Sequence, residues 1–446
     1  MTPAAGVPDR PARHAWFAAL AAAIVYLPSF GGVFQFDDYR VIADYPVVHS
    51  WAGWWSGLGQ GVRPLLKASY TLNWTLGAGE FGFHLVNIAL HALNTALLVL
   101  IGRAICARCV GAPRAAGCDG AVFIAALLFA LHPAQTEAVT YISGRSVSLM
   151  TGFYLGALLV YLRGGHWAIS GALFALAAAT RETAITLPAV LLLVELCSRE
   201  RAGWRTLLRR QTVHWALLCA GLLVLLFNAR YLSLVSFGYT QRSLIDNLIT
   251  QVGGIAHLCA VLIGLLGSNI DPALPALHEW SGALAAQAVL LAALVMLGLA
   301  QLRTRPWIGF GLLWFFIQLA PTNSIVPRLD VVNDRQLYLA CWGLFLALCI
   351  QIAQLRPARS HSLAMAGALC VVLAGASVAR QLDYRSEIAL WGASVRAAPW
   401  NARAHANLGY AYQLAGRKAE ARREFEAALL FGPRERKARY NLLLLD

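Results

Sequence analysis

Residues 83–102 read FHLVNIALHALNTALLVLIG, twenty positions with no Asp, Glu, Lys or Arg. A helix of this length and polarity suffices to cross a bilayer, whose core needs about 17 to 25 apolar residues. Runs of the same kind recur at 14–30, 121–139, 146–162, 166–180, 183–198, 214–230, 250–267, 281–301, 307–320, 337–355 and 361–379. Composition agrees with them. The chain has 446 residues, of which 59% are hydrophobic and 13% charged, whereas soluble domains carry about 25% charged residues. Strand-type alternation is weak, which argues against a transmembrane barrel. The sequence therefore predicts an all-α fold, a polytopic transmembrane helical bundle. No small-residue cleavage site follows the first run, so it is read as a first span and not as a removed leader.

The formal charge of +14 does not point to nucleic acid, because the arginines gather in short loops between spans. Arg103, Arg108 and Arg114 mark one such loop. Arg199, Arg201, Arg205, Arg209 and Arg210 mark a second, Arg303 and Arg305 a third, and Arg356 and Arg359 a fourth. By the positive-inside rule these share the cytoplasmic face. Between Arg210 and Arg303 the chain must then cross an even number of times, yet three apolar runs lie there. One of them does not cross. The run 250–267 is one candidate, since Gln251, Gly253, Gly254 and His257 dilute it; 214–230 is an equal one, and a miscount of the paired short runs around Arg181 is the third. About eleven spans result, with the N-terminal end inside, the C-terminal end outside, and loops 31–82, 140–145, 231–280 and 321–336 sharing the outer face. Trp51, Trp54 and Trp55 in the first loop read as interface anchors. Of nine cysteines, Cys106 and Cys109 form a lone CxxC with Cys118 nearby, short of the ligand set that zinc needs.

Domain 1–380 is followed at 383–446 by polar, charged helical sequence. NARAHANLGYAYQLAGRKAEARREFEAALLFGP fits a tetratricopeptide hairpin, with Leu408, Gly409, Tyr412, Ala421, Phe425, Ala428 and Pro433 at the packing positions. The helices are expected at 402–414 and about 418–430, with Gly416 in the turn. A 34-residue period relates Pro399 to Pro433 and Asn407-Leu408 to Asn441-Leu442. One good repeat flanked by partial ones falls short of the roughly three that a free array needs, so this unit is expected to lean on the membrane domain.

Polar residues near lipid are costly and mark function by default. His84 and His91, seven apart, share a helix face with Asn87 and Asn94, either as a seam between helices or as part of a site. LHPAQTEAVTYISGR carries His132, Glu137 and Arg145. TRETAITLP carries Arg181 and Glu182, read either as a structural ion pair or as site residues. PTNSIVPRLDVVNDRQLYL carries Arg328, Asp330, Asp334 and Arg335. Arginine forks suit phosphate oxygens. Asp37 and Asp38 follow the first span. On an extended chain they would face opposite ways, so one is expected to face a cavity while the other shapes the loop or binds an Arg or a metal.

FQFDDYRVIADYPVV, RPLLKASYTLNW, GFHLVNIALHALN, LHPAQTEAVTYISGRS, RETAITLPAVLLL and PTNSIVPRLDVVNDRQLYL, followed by a repeat tail, occur in that order. Together they resemble the transmembrane and tetratricopeptide-repeat O-mannosyltransferases and their bacterial relatives, within the GT-C group of glycosyltransferases. The tail here is much shorter than in animal members. The resemblance implies a polyprenyl-phosphate sugar donor, inverting transfer on the outer or periplasmic side, and a protein hydroxyl or glycan as acceptor. It implies an acidic base in the first outer loop, Asp37 or Asp38, with Asp37 the first choice. Glu137 joins the catalytic candidates. Arg335 leads the donor-phosphate candidates, with Arg145, Arg328 and Arg63; His84, His91, His132, Arg181 and Glu182 are supporting. No cofactor is specified, and a divalent metal is left open. Membrane lipids and a protein partner at the repeats complete the expected partners. The Ala- and Arg-rich composition suggests a bacterial inner membrane. The competing readings are a flippase for a lipid-linked substrate, which would show paired repeats, and a scaffold acting through its repeat tail.

Overall fold

The computed structural model describes residues 10–59, 62–111, 116–200, 203–355 and 359–445. Arg114, Arg201 and Arg356, used above for orientation, lie outside them. The described residues are helical and contain no strand. Among the described residues eight helices are long and apolar enough to span a membrane, and a bent pair makes a ninth. This is a multi-pass membrane protein.

Contacts between helix ends sort the molecule into two faces. Arg108 donates to the Leu162 carbonyl at 2.7 Å, and the Arg199 amide to the Arg108 carbonyl at 3.0 Å. The ends of Gly79–Val110, Arg145–Leu162 and Leu187–Cys197 therefore meet on one face, called here the arginine face. On the other, the site face, Ser29 bonds Thr140 and Gln381, joining the ends of the first and last membrane helices to the turn near 140.

Leu244–Leu262 does not cross between them, although it is one of the eight by length. Asn247 at its start donates to the Ser324 carbonyl at 2.7 Å. Gln251 accepts from Asn323 at 2.8 Å. The Leu262 carbonyl at its end accepts from His132 at 3.0 Å. All three partners belong to the site face, so the helix lies along that face. Its exposed Leu244, Ile245 and Leu248 give it the one-sided apolar surface of an interfacial helix. The preceding amphipathic helix Ala229–Gln241, which the sequence reading counted as loop, also docks there, with Gly238 against the Pro327 carbonyl. Excluding Leu244–Leu262, and counting the bent pair and the shorter Trp167–Thr180, Leu187–Cys197 and Pro306–Leu319, eleven helical segments among the described residues run between the faces.

Lipid tails give helices no hydrophobic reason to associate, so close packing at small residues does the work. A Cβ on Gly343 would lie 2.6 Å from the Trp314 ring, locking Pro306–Leu319 onto Leu337–Gln354. The expected straight span 121–139 is bent by 56° between Asp119–Leu131 and Pro133–Val139. Pro133 offers no N–H to continue the helix, and His132 caps the new turn by accepting from the Ala134 amide at 3.1 Å.

The repeat hairpin is Ala402–Leu414 and Lys418–Phe431, with Gly416 at φ +73° in the turn. A Cβ on Gly409 would come within 2.7 Å of the Phe425 ring, so glycine is what lets these helices touch. Ala421, Phe425, Ala428 and Leu408 are buried and Tyr412 is half-buried. Pro433 is not a packing residue: it is exposed in the turn after the second helix, where it stops that helix. Flanking helices Glu387–Ala397 and Arg436–Leu443 occupy the partial repeats. The unit rests on the site face through Ser394 to Asn269 at 2.6 Å and Asn401 to the Asp271 carbonyl at 2.9 Å.

Candidate active site

Asp37 and Asp38 lie where the first loop meets the turn at 140–145, within reach of the charge of Arg335. The chain turns into them through Phe36, a non-glycine at φ +50°, a left-handed conformation that costs energy and tends to collect at functional sites. Phe36 is held by its amide donating to Glu387 at 2.7 Å and by an edge-on contact with Trp391, both from the repeat unit. The two aspartates follow in a helical turn, not on the extended chain assumed from sequence.

The turn separates their environments. Asp38 is fully buried, accepting from the Ser143 amide at 2.8 Å and the Gln35 amide at 3.1 Å. It ties the first loop to the turn at 140–145, and burial pushes its carboxyl up to about 7. Asp37 is half-buried, and its carboxylate has no hydrogen-bond partner among the described residues. Its amide donates to the Tyr141 hydroxyl at 3.0 Å, which fixes the backbone and leaves the carboxylate open. Burial raises its pKa, opposed first by the positive charge of Arg335. A carboxylate in that state is a better base than one in water.

Arg335 is placed by Glu137. The Arg335 amide donates to Glu137 Oε2 at 3.1 Å, and its Nε lies 3.5 Å from Oε1. Glu137, 4% exposed, thus orients an arginine. Arg63, at φ +65°, forms a two-pronged ion pair with Glu182, Nε to Oε2 at 2.9 Å. Burial would raise the Glu182 pKa, but Arg63 and then Arg181 hold it well below the usual carboxylate range. Arg181 is buried and donates to Ser146 at 2.7 Å. Burial, then Arg63, depresses its pKa far below the usual guanidinium value. Arg328 is depressed by burial and by Arg335, and its Nη1 is buried without a partner. Arg63, Arg181, Arg328 and Arg335 thus repel one another across one region where Glu182 and Glu137 supply the close counter-charges. That arrangement has unspent capacity for an anion such as a phosphate.

Other expected site residues are elsewhere. Arg145 is completely buried, and its guanidinium donates to Asn87 at 2.7 Å, Asn73 at 2.5 Å, and the Phe83 and Ser69 carbonyls at 2.9 and 3.2 Å. Its donors are consumed in bracing the helix Gly79–Val110 against Pro64–Thr75, so it is not free to grip a donor phosphate. His84 donates to the Gly32 carbonyl at 3.2 Å. His91 donates to the Ala130 carbonyl at 3.1 Å and accepts from Tyr338 at 2.9 Å, while Asn94 donates to the Ser148 carbonyl at 2.8 Å. Of the two readings of this stripe, the contacts are those of a seam between helices. His132 is likewise spent on its turn and on Leu262.

Among the described residues no three His, Cys, Asp or Glu converge as metal ligands. Sequence reasoning passed over Tyr141, though it lies inside the quoted LHPAQTEAVTYISGR. It also missed Arg403, which pairs with Asp271 at 2.6 Å and Asp330 at 2.7 Å. This couples the repeat unit to the loop that carries Arg328 and Arg335. A cavity of about 280 Å³ beside this pair is lined by Leu329, Val332 and Asn401.

Protein O-mannosyl-transferase Tmtc2 of Drosophila melanogaster is 35% identical over 171 residues, 35% of this chain and 17% of the relative. Protein O-mannosyl-transferase F38B6.6 of Caenorhabditis elegans is 23% identical over 436 residues, 92% of this chain and 61% of the relative. The chain is a relative of the protein O-mannosyl-transferases. Protein O-mannosyl-transferase TMTC1 of Mus musculus is 37% identical over 169 residues, 34% of this chain and 17% of the relative. The matches span less than two thirds of the length of these curated O-mannosyl-transferases. No protein-family model and no solved structure matches the chain.

Proposed function

We propose that this protein is an inverting glycosyltransferase that moves a sugar from a polyprenyl-phosphate donor to a hydroxyl acceptor at the site face. The sugar is mannose and the acceptor a protein hydroxyl, following the names of the relatives. The observation that carries the reading is the half-buried carboxylate of Asp37, without a hydrogen-bond partner among the described residues and near enough to Arg335 to feel its charge.

Asp37 takes the acceptor's proton as its oxygen attacks the anomeric carbon from the side opposite the phosphate. The bond from that carbon to the phosphate oxygen breaks, and the electron pair leaves with the lipid phosphate. A phosphate needs little protonation to leave, but its growing charge must be matched. Fixed guanidiniums supply that match without reorganising. Arg335 is the first of them, with Arg328, Arg181 and Arg63 behind it. The site face is the periplasmic one by the arginine asymmetry of the loops, and the repeat unit shares it.

The test is transfer from labelled polyprenyl-phosphate mannose in membranes containing Asp37→Asn. Loss of product, with the variant inserted at normal levels, is expected at about 10²- to 10⁴-fold, the usual contribution of a general base. Full transfer by this variant would remove Asp37 as the base.

A further inference from the structure

The arginine face holds a cavity of about 410 Å³ where Leu187–Cys197 ends and where the chain passes from Gly282–Thr304 into Pro306–Leu319. Its walls mix apolar residues, Val110, Leu196, Leu302 and Trp307, with two arginines exposed at its rim, Arg199 and Arg303. The size is that of a site for a small molecule or headgroup, roughly 300 to 1,000 Å³.

Charge pairing on this face is uneven. Arg103 bonds Asp119 at 2.8 Å. Arg108 and Arg210 share Glu195, at 3.6 and 3.9 Å. Arg199 and Arg303, the two arginines lining the cavity, have no carboxylate partner among the described residues. Arg199 is held there by its backbone, through its amide's bond to Arg108. Two uncompensated guanidiniums over apolar walls, at the depth where spans end, suit a group with a phosphate at one end and hydrocarbon at the other. A free anion would use the arginines but gain nothing from Leu196, Leu302 or Trp307.

We infer that this cavity binds the phosphodiester headgroup of an anionic membrane lipid between Arg199 and Arg303, on the face opposite the proposed transfer site. The lipid would wedge the three helix ends together and stabilise the bundle.

The full chain in nanodiscs of phosphatidylcholine, with or without added phosphatidylglycerol, tests this by thermal unfolding and by native mass spectrometry of retained lipid. The wild type is expected to retain phosphatidylglycerol and unfold at higher temperature with it. Arg199→Gln with Arg303→Gln should lose both effects, at about fivefold weaker retention for each arginine. Each single variant gives the same reading if the double one fails to insert. Arg209→Gln with Arg305→Gln, which removes two exposed arginines outside the cavity lining, should behave as wild type. Equal loss in this second pair would mean general surface attraction and overturn the site. Equal retention by the cavity variants would overturn it too. Equal stabilisation by inorganic phosphate alone would make it a free-anion site and overturn the lipid assignment.

Discussion

The two faces of the bundle both carry arginine, and they treat it in opposite ways. On the site face several guanidiniums meet a carboxylate from far along the chain: Arg63 meets Glu182, Arg335 meets Glu137, Arg403 meets Asp271 and Asp330. On the arginine face most stand exposed in short loops, among them Arg205, Arg209 and Arg305. The first set is fixed in position by its partners, as the proposed donor site requires. The second records which way the chain was threaded, a task that needs charge but no fixed geometry. A count of arginines cannot tell these apart; burial and partners can.

Within the site face the contrast continues between a braced arginine and a poised one. Arg145→Ala should give the largest loss of stability, about 3–5 kcal/mol, because it strands several buried acceptors at once. The check is thermal unfolding in detergent. Arg335→Ala should cost less stability than Arg145→Ala, since it strands the Glu137 carboxylate alone, yet cut transfer about 10²- to 10³-fold, the scale of losing one charge-stabilising donor. If these two outcomes were exchanged, the division between brace and site would be wrong.

The paired aspartates provide a pH test. Asp38 has its folded pKa raised to about 7 by burial, above the unfolded value near 3.9. Its contribution is fully present below about pH 4 and is lost as pH rises through 7, at up to about 1.4 kcal/mol per unit. Asp38→Asn should flatten that part of the stability profile, at the cost of one of two backbone contacts. Thermal unfolding between pH 5 and 8 decides it.

Arg403→Ala should cost about 1 kcal/mol, since Arg403 is 42% exposed and solvent screens its pairs. It should also loosen the loop carrying Arg328 and Arg335, visible as faster hydrogen exchange at 328–335. The smallest effect belongs to the arginine face, where Arg305→Gln should change stability by less than about 0.5 kcal/mol. A large effect there would blur the difference between the two faces.

Much of the architecture was legible in the sequence because it depends on local pattern. Hydropathy marks each membrane helix, and the Gly409, Ala421 and Phe425 spacing gives the hairpin to within a residue. What was not legible depends on partners distant in sequence. Arg145 and Arg335 look alike in text; only the folding of Asn73, Asn87 and Phe83 around the first separates them. Asp37 and Asp38 differ because Ser143, about a hundred positions away, claims one and not the other. The parity of arginine loops signals that one apolar run fails to cross, and leaves 250–267, 214–230 and the short runs around Arg181 as alternatives. Hydropathy alone ranks Leu244–Leu262 with the true spans, and its site-face partners are what keep it flat.

That flat helix sets an order of events in biogenesis. When Leu244–Leu262 leaves the ribosome it meets the insertion machinery as a segment long and apolar enough to be threaded. Asn323 and the Ser324 carbonyl, which hold Gln251 and Asn247, are made more than seventy residues later. His132 can hold its far end at once, but the ties at its start close only after the following helical pair has emerged, so completing the site face is a late step that draws on a piece already made.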